Sequence, residues 1–320
     1  MTTTINKYCY IFTRWLPPFF NYTSRVVWSR IELVQTQEEI QHPVVREALR
    51  FLKIERGIEL HHVADLPART GLGSSSTFTV GLLHALQGLK GSMPSKMKLA
   101  QDAITVEQEL LKENVGCQDQ IIAAFGGFSR IDFSLDGTFH VSPIILEGEI
   151  SSQLQAHLML IFTGVSRSSS EIAGEQIRAI PKKKGEMQAI HQIAEEAIGV
   201  LQKKQDLERF GRLLDESWQI KRSLTDRISP PWIDELYETA RRAGALGGKL
   251  LGAGGGGFLL LFVRPEEQGK VKEAFPDLLH VPFTFETLGS RIILYEPDGE
   301  TSPPPTRPSR EERKVEIEAP

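Results

Sequence analysis

Runs of apolar residues set the expected elements before any chemistry is considered. Two β-rich stretches, Lys7–Arg14 and Arg25–Leu33, open the chain and are joined across Pro17-Pro18, which reads as a hairpin or meander. From His42 to about Glu55, the residues Val45, Leu49, Leu52 and Ile54 recur at roughly helical spacing, behind a proline suited to a first turn. A short strand, Ile58–Val63, then enters a glycine-rich turn followed by a helix over Ser75–Leu89, so the turn is expected at a helix N-terminus. Helices over Ser95–Leu111 and Gly116–Phe125 precede a strand pair at Gly127–Phe133 and Thr138–Ile144. The composition changes after Gly148. A strand-like run, His157–Thr163, leads into a helical region from Ser168 to Arg242, broken near Pro181 and at Pro230-Pro231. Strand, tight turn and strand follow over Gly247–Ala253, Gly254–Gly257 and Phe258–Val263. A helix at Glu266–Phe275 and strands near Leu279–Phe283 and Arg291–Tyr295 complete a βαβ-like second unit. The segment 298–320 is proline-rich and charged, and reads as a disordered tail.

With 320 residues, 40% of them hydrophobic and 24% charged, the chain can build two domains with buried cores. A net charge of −4 provides no overall basic field for nucleic acid or an anionic membrane, so an anionic ligand needs local donors. The 2 cysteines, Cys9 and Cys117, are too few for a disulfide framework and lack zinc-site spacing. Together with the lack of an apolar leader or a run of membrane-spanning length, this predicts a cytoplasmic protein.

The chemistry concentrates in Pro67-Ala68-Arg69-Thr70-Gly71-Leu72-Gly73-Ser74-Ser75-Ser76. Backbone N–H groups exposed at such a turn, backed by a helix dipole, form a site for phosphate oxygens. A structural turn is the plain alternative for a bare GxGxxS. The run lacks GxxxxGK[ST], and Ser76 stands where a dinucleotide fingerprint has its third glycine. It resembles instead the second motif of the GHMP kinases, in which the loop wraps the phosphates of ATP and a serine helps to hold Mg²⁺. Further on, Lys249-Leu250-Leu251-Gly252-Ala253-Gly254-Gly255-Gly256-Gly257 is similar to the third motif of that family, a loop that packs against the phosphate loop. On its own this glycine run reads equally well as a tight hairpin. The resemblance implies that Pro67, Arg69, Gly71, Leu72, Gly73, Ser74, Ser75 and Ser76, with Gly254, Gly255 and Gly256, bind the nucleotide.

Phosphoryl transfer commonly needs a metal-holding carboxylate and one that takes or orients the acceptor proton. A carboxylate on a helix is ordinarily just solvated. The stretch Val115-Gly116-Cys117-Gln118-Asp119-Gln120 resembles the family segment that carries the catalytic base, which implies that role for Asp119. Glu107 matches the upstream glutamate, which with Ser75 implies the Mg²⁺ site. Glu109 is the rival for the metal, and Gln118 and Gln120 read as structural neighbours. Ser166, Arg167 and the following serines join an anion-binding side chain to a hydroxyl cluster, although a helix cap explains the serines equally well. Lys221 is a further candidate for the acceptor, or part of a solvated helix face.

The resemblance runs from about Ile5 to Tyr295 and, within the family, points to the D-glycero-D-manno-heptose 7-phosphate kinase branch. It implies an α+β, two-domain fold: a ribosomal-protein-S5-like domain over residues 1–150 and a ferredoxin-like domain over 151–297. A small sugar phosphate is the expected partner, a homodimer stays open, and neither nucleic acid nor membrane is expected. A related hexose or fucose kinase and a non-catalytic nucleotide- or sugar-binding relative are the alternatives. The family's first motif, expected ahead of Thr2-Thr3-Thr4-Ile5, has no counterpart in the sequence, and on that basis a coding start upstream of Met1 is expected.

Overall fold

The computed structural model describes residues 1–166, 169–203 and 206–296. The chain opens with β1 (Thr2–Ile5), β2 (Cys9–Trp15), β3 (Ser24–Val27) and β4 (Ile31–Val34). Next come α1 (Pro43–Phe51), β5 (Ile58–Ala64), α2 (Ser74–Leu89), α3 (Lys96–Ile104), α4 (Gln118–Phe125), β6 (Phe128–Phe133) and β7 (Phe139–Pro143). The remainder holds α5 (Gly148–His157), β8 (Leu158–Phe162), α6 (Ser169–Ala179), α7 (Lys184–Gln202), α8 (Leu207–Arg222) and α9 (Pro231–Arg242). It ends with β9 (Ala245–Leu250), β10 (Phe258–Val263), α10 (Gln268–Ala274), β11 (Leu279–His280) and β12 (Phe285–Glu286).

One sheet has the order β2-β5-β3-β4. The two opening β stretches therefore do not form a hairpin with each other: β5 lies between them, antiparallel to β2 and parallel to β3. Burial explains the placement, because Ile58 and Leu60 of β5 are fully buried and belong in a central strand. The stretch Arg25–Leu33 instead folds on itself as the β3–β4 hairpin. Beneath this sheet lies a core built on Val80, Leu82, Leu83 and Leu86 of α2, with Val45, Ala48 and Leu49 of α1. Proline at the first position of α1 satisfies the helix start, and its valines and Leu49 share the inward face.

The second unit has the sheet β11-β8-β10-β9. Trp218 of α8 and Tyr237 of α9, both fully buried, pack against it. Tyr237 donates its hydroxyl proton to Asp215 at 2.5 Å, which satisfies its only polar group. Helix α5 was not foreseen: its glutamate, glutamines and serines hide a two-residue buried stripe, Ile150 and Leu154.

The third sheet, β12-β1-β6-β7, joins the two ends of the described chain. Thr4 pairs with Glu286 and Ile5 with Phe285, and the Tyr8 hydroxyl donates to Glu286 Oε2 at 2.6 Å. The Ser290 N–H then donates to the Ala123 carbonyl at 2.7 Å, tying the same segment to α4. The strand expected over Arg291–Tyr295 does not form. Ile293 and Leu294 are 69% and 75% exposed there, and no neighbouring strand pairs with them among the described residues. The proposed tail, 298–320, lies outside the described residues. No helix among the described residues is long and apolar enough to cross a membrane.

Candidate active site

The loop from Leu66 to Gly73 carries β5 into α2. Arg69, Gly71 and Gly73 have φ of 63°, 82° and 70°, so the backbone turns through left-handed residues as it reaches the helix. Thr70, fully buried, donates to the Pro67 carbonyl at 2.8 Å, and Ser74 reaches the same oxygen at 3.4 Å. These bonds close the loop on itself. The first-turn N–H groups of Ser74, Ser75 and Ser76 begin a helix of 16 residues, and that end presents donors and a partial positive charge. Leu72 is partly buried and the Ser75 side chain is exposed.

The second glycine-rich run lies directly on this loop. A Cβ at Gly71 would fall 2.5 Å from the Leu251 carbonyl oxygen, and one at Gly252 would fall 2.5 Å from Gly71 Cα. The two backbones touch, which only glycine allows. Gly257 holds the other side: its Cβ would meet the Thr70 carbonyl, and Thr163 Oγ1 bonds both its carbonyl and its N–H, at 2.8 and 3.1 Å. Gly254, Gly255 and Gly256 face elsewhere, toward Ile228 and Val165, and the Gly255 N–H donates to the Ile228 carbonyl at 2.9 Å.

Helix α3 continues into a π-helical turn, Thr105–Leu110, that contains Glu107. The wider turn aims Glu107 inward, where it is 1% exposed. Thr79 Oγ1 donates to one carboxylate oxygen at 2.6 Å, while Ser76 Oγ at 2.9 Å and the Gln120 amide donate to the other. The serine bonded to Glu107 is thus Ser76, one position beyond Ser75. Glu109, the sequence rival, is exposed and faces away. Thr79 was not anticipated, though it lies one helical turn after Ser76 on the same face. Gln120, read as a neighbour only, turns out to be a direct partner of Glu107.

Asp119 stands in the first turn of α4, against the glycine-rich loop: a Cβ at Gly73 would lie 3.1 Å from its carboxyl carbon. Burial, reinforced by the charge of Glu107 and opposed by Lys221, pushes the Asp119 carboxyl above its usual range. Burial and Glu107 act the same way on Glu113, against Arg69. The charge of Glu107 thus bears on both Asp119 and Glu113. Lys221, in the last turn of α8, donates to the Gly252 carbonyl. Burial first, and then the charge of Lys249, pushes it down to about 7, with Asp119 opposing. Ser166 is exposed, and Arg167 lies outside the described residues.

The glycine turn at the start of α2, the second glycine run seated on it and the buried Asp119 against it thus come together in one place. Residues 42–127 match the GHMP kinases N terminal domain and residues 193–280 match GHMP kinases C terminal, so the chain belongs to the GHMP kinase family and has its two-part α+β fold. Among individual relatives, the D-glycero-alpha-D-manno-heptose 7-phosphate kinase of Campylobacter jejuni is 31% identical over 220 residues, 68% of this chain and 65% of that one. The bifunctional fucokinase/GDP-fucose pyrophosphorylase of Arabidopsis thaliana is 26% identical over 252 residues, 74% of this chain and 24% of that one. The chain thus spans less than two thirds of the length of these curated relatives. The solved structure of a D-glycero-D-manno-heptose 1-phosphate kinase from Bacteriodes thetaiotaomicron matches with a TM-score of 0.71 at 24% identity, covering 90% of this chain and 87% of that one. A mevalonate kinase structure matches at 0.68 and 20%, covering 89% and 91%. At these identities the solved structures share the fold.

Proposed function

We propose that this chain is an ATP-dependent sugar-phosphate kinase acting on the anomeric hydroxyl of a heptose 7-phosphate. The observation that supports the reading is the close approach of Asp119 to Gly73, where an added Cβ would fall 3.1 Å from the carboxyl carbon; a base at Asp119 would then lie beside phosphates bound at this turn. In the reaction the acceptor oxygen bonds to the terminal phosphorus of ATP and the bond to the ADP oxygen breaks. The proton of the hydroxyl passes to Asp119, whose raised pKa makes it a better base than an exposed aspartate. The α2 N-terminus and the loop N–H groups hold the phosphates. The heptose assignment draws on the Campylobacter relative, named as a heptose 7-phosphate kinase.

The carboxylate that would serve a hard cation is Glu107. Glu107 is buried on neutral donors and has no cationic partner among the described residues, and it bears on both Asp119 and Glu113. Mg²⁺ would be held by Glu107 and the exposed Ser75 hydroxyl, and when bound it neutralises charge on the phosphates. Glu107→Gln is expected to weaken the Mg²⁺ dependence of turnover while leaving metal-free ADP binding mostly unchanged. It replaces an acceptor oxygen with an amide donor facing a hydroxyl or the Gln120 amide, so a stability loss of about 1–3 kcal/mol is also expected. A thermal melt and a Mg²⁺ titration of turnover read both effects, and an unaltered titration would refute the metal role.

An ADP-release assay over heptose 7-phosphate, hexose phosphates and free L-fucose tests the function. Turnover is expected with heptose 7-phosphate. A preference for free fucose would overturn the phosphorylated acceptor, and nucleotide binding without turnover on any sugar would favour a non-catalytic binding protein.

A further inference from the structure

The three donors that hold Glu107 are divided unequally between its two oxygens. An ionised carboxylate has about four lone-pair sites, two on each oxygen. Glu107 Oε1 accepts one bond, from Thr79 Oγ1 at 2.6 Å. Glu107 Oε2 accepts two, from Ser76 Oγ at 2.9 Å and from the Gln120 amide N–H. Among the described residues Oε2 is therefore filled, and the site left open is on Oε1. The same count fixes the orientation of the amide: turned over, Gln120 would set its carbonyl oxygen against Glu107, two acceptors with no proton between them.

Gln120 is fully buried in the first turn of α4 and follows Asp119 in the chain. One turn of helix thus sets the Asp119 carboxyl against Gly73 and closes Oε2 of Glu107. Gln120 Oε1 is itself buried and has no hydrogen-bond partner among the described residues. An acceptor in that position suits a cation that keeps part of its water, because the water supplies a donor. Mg²⁺ is such a cation, small and bound through single oxygens in near-octahedral places, whereas Ca²⁺ takes more oxygens and accepts both oxygens of one carboxylate. A carboxylate with one oxygen filled serves the first mode and not the second.

We propose that Gln120, with Ser76, sets the cation preference of the site by filling Oε2 of Glu107, so that the carboxylate offers a single oxygen and Mg²⁺ is favoured over Ca²⁺. The proposal rests on the reading of Glu107 as the metal carboxylate, and it makes Gln120 a positioning residue that acts through Glu107. Thr79, on the other oxygen, takes no part in the choice.

The test measures the affinity of the full chain for ADP in Mg²⁺, in Ca²⁺ and in EDTA, and reads the gain in affinity from each cation. Comparing the ratio of the two gains between variants cancels what ADP alone binds. Gln120→Met and Ser76→Ala each free a site on Oε2, and each should raise the Ca²⁺ gain relative to the Mg²⁺ gain by about 3–30-fold, the effect of one added carboxylate oxygen. Thr79→Val should leave the ratio within about 2-fold of wild type, since Oε2 stays filled. Unchanged ADP affinity in EDTA reports that a variant folds, and if Gln120→Met does not fold, Ser76→Ala carries the test. An equal ratio in wild type and in the two Oε2 variants, with both gains sharply reduced in Glu107→Gln, would overturn the proposal and leave Glu107 as the metal carboxylate. Gains that survive Glu107→Gln would sink that reading, and the proposal with it.

Discussion

Asp119→Asn is expected to lower turnover by roughly 10²–10⁴-fold, the loss typical of removing a positioned acid–base group. The substitution keeps the shape of the side chain against Gly73 and removes its charge. Because burial and Glu107 disfavour the ionised carboxylate in the folded chain, a neutral amide is tolerated there, and the melting temperature should be unchanged or higher. Steady-state kinetics beside an ADP titration and a thermal melt separate these effects. Near wild-type turnover would remove Asp119 from the chemistry, while lost ADP binding would make it a loop-supporting residue.

Gly257→Ala should be the most damaging single-methyl change on the phosphate side of the site. Its φ of 110° is strained for alanine, and the new Cβ would fall 2.2 Å from the Thr70 carbonyl oxygen, a backbone atom with no room to retreat. Strain and overpacking together cost roughly 2–6 kcal/mol, and the glycine strap must lift from the phosphate loop to accommodate it. Gly199→Ala is the contrast: it lies inside α7 with nothing within 4 Å of the added carbon, and should stabilise by about 0.5–1 kcal/mol. Equal melting temperatures for the two variants would mean that the strap does not depend on backbone contact. ADP affinity is expected to fall with Gly257→Ala only.

The legible parts of this chain were those in which local pattern and chemistry agree. Strand, glycine turn and helix over 58–89 could be read because Ile58 and Leu60 give β5 its buried apolar positions and the turn is marked by Gly71 and Gly73. What escaped was pairing and reach. Nothing local in β2 or β3 says that residues 58–64 insert between them, since strand neighbours are chosen by the whole core. The π-helical turn at 105–110 reads as ordinary helix because its extra residue leaves no mark on composition. Its consequence, a buried Glu107 met by Thr79 and Gln120, needs three elements in register.

The pairing of β1 with β12 also bears on how the molecule is made. Thr4 cannot meet Glu286 until nearly all of the described chain has been synthesised, so this sheet is among the last parts of the structure to close. Before that moment β1 can pair only with β6, and the edge that β12 will cover stands open to other chains. The core beneath the β2-β5-β3-β4 sheet, by contrast, draws on residues no later than Val141 and can form first, as a unit, while the rest of the chain is still emerging. Slow synthesis through the helices α6–α9 therefore lengthens the time for which an incomplete sheet edge is exposed.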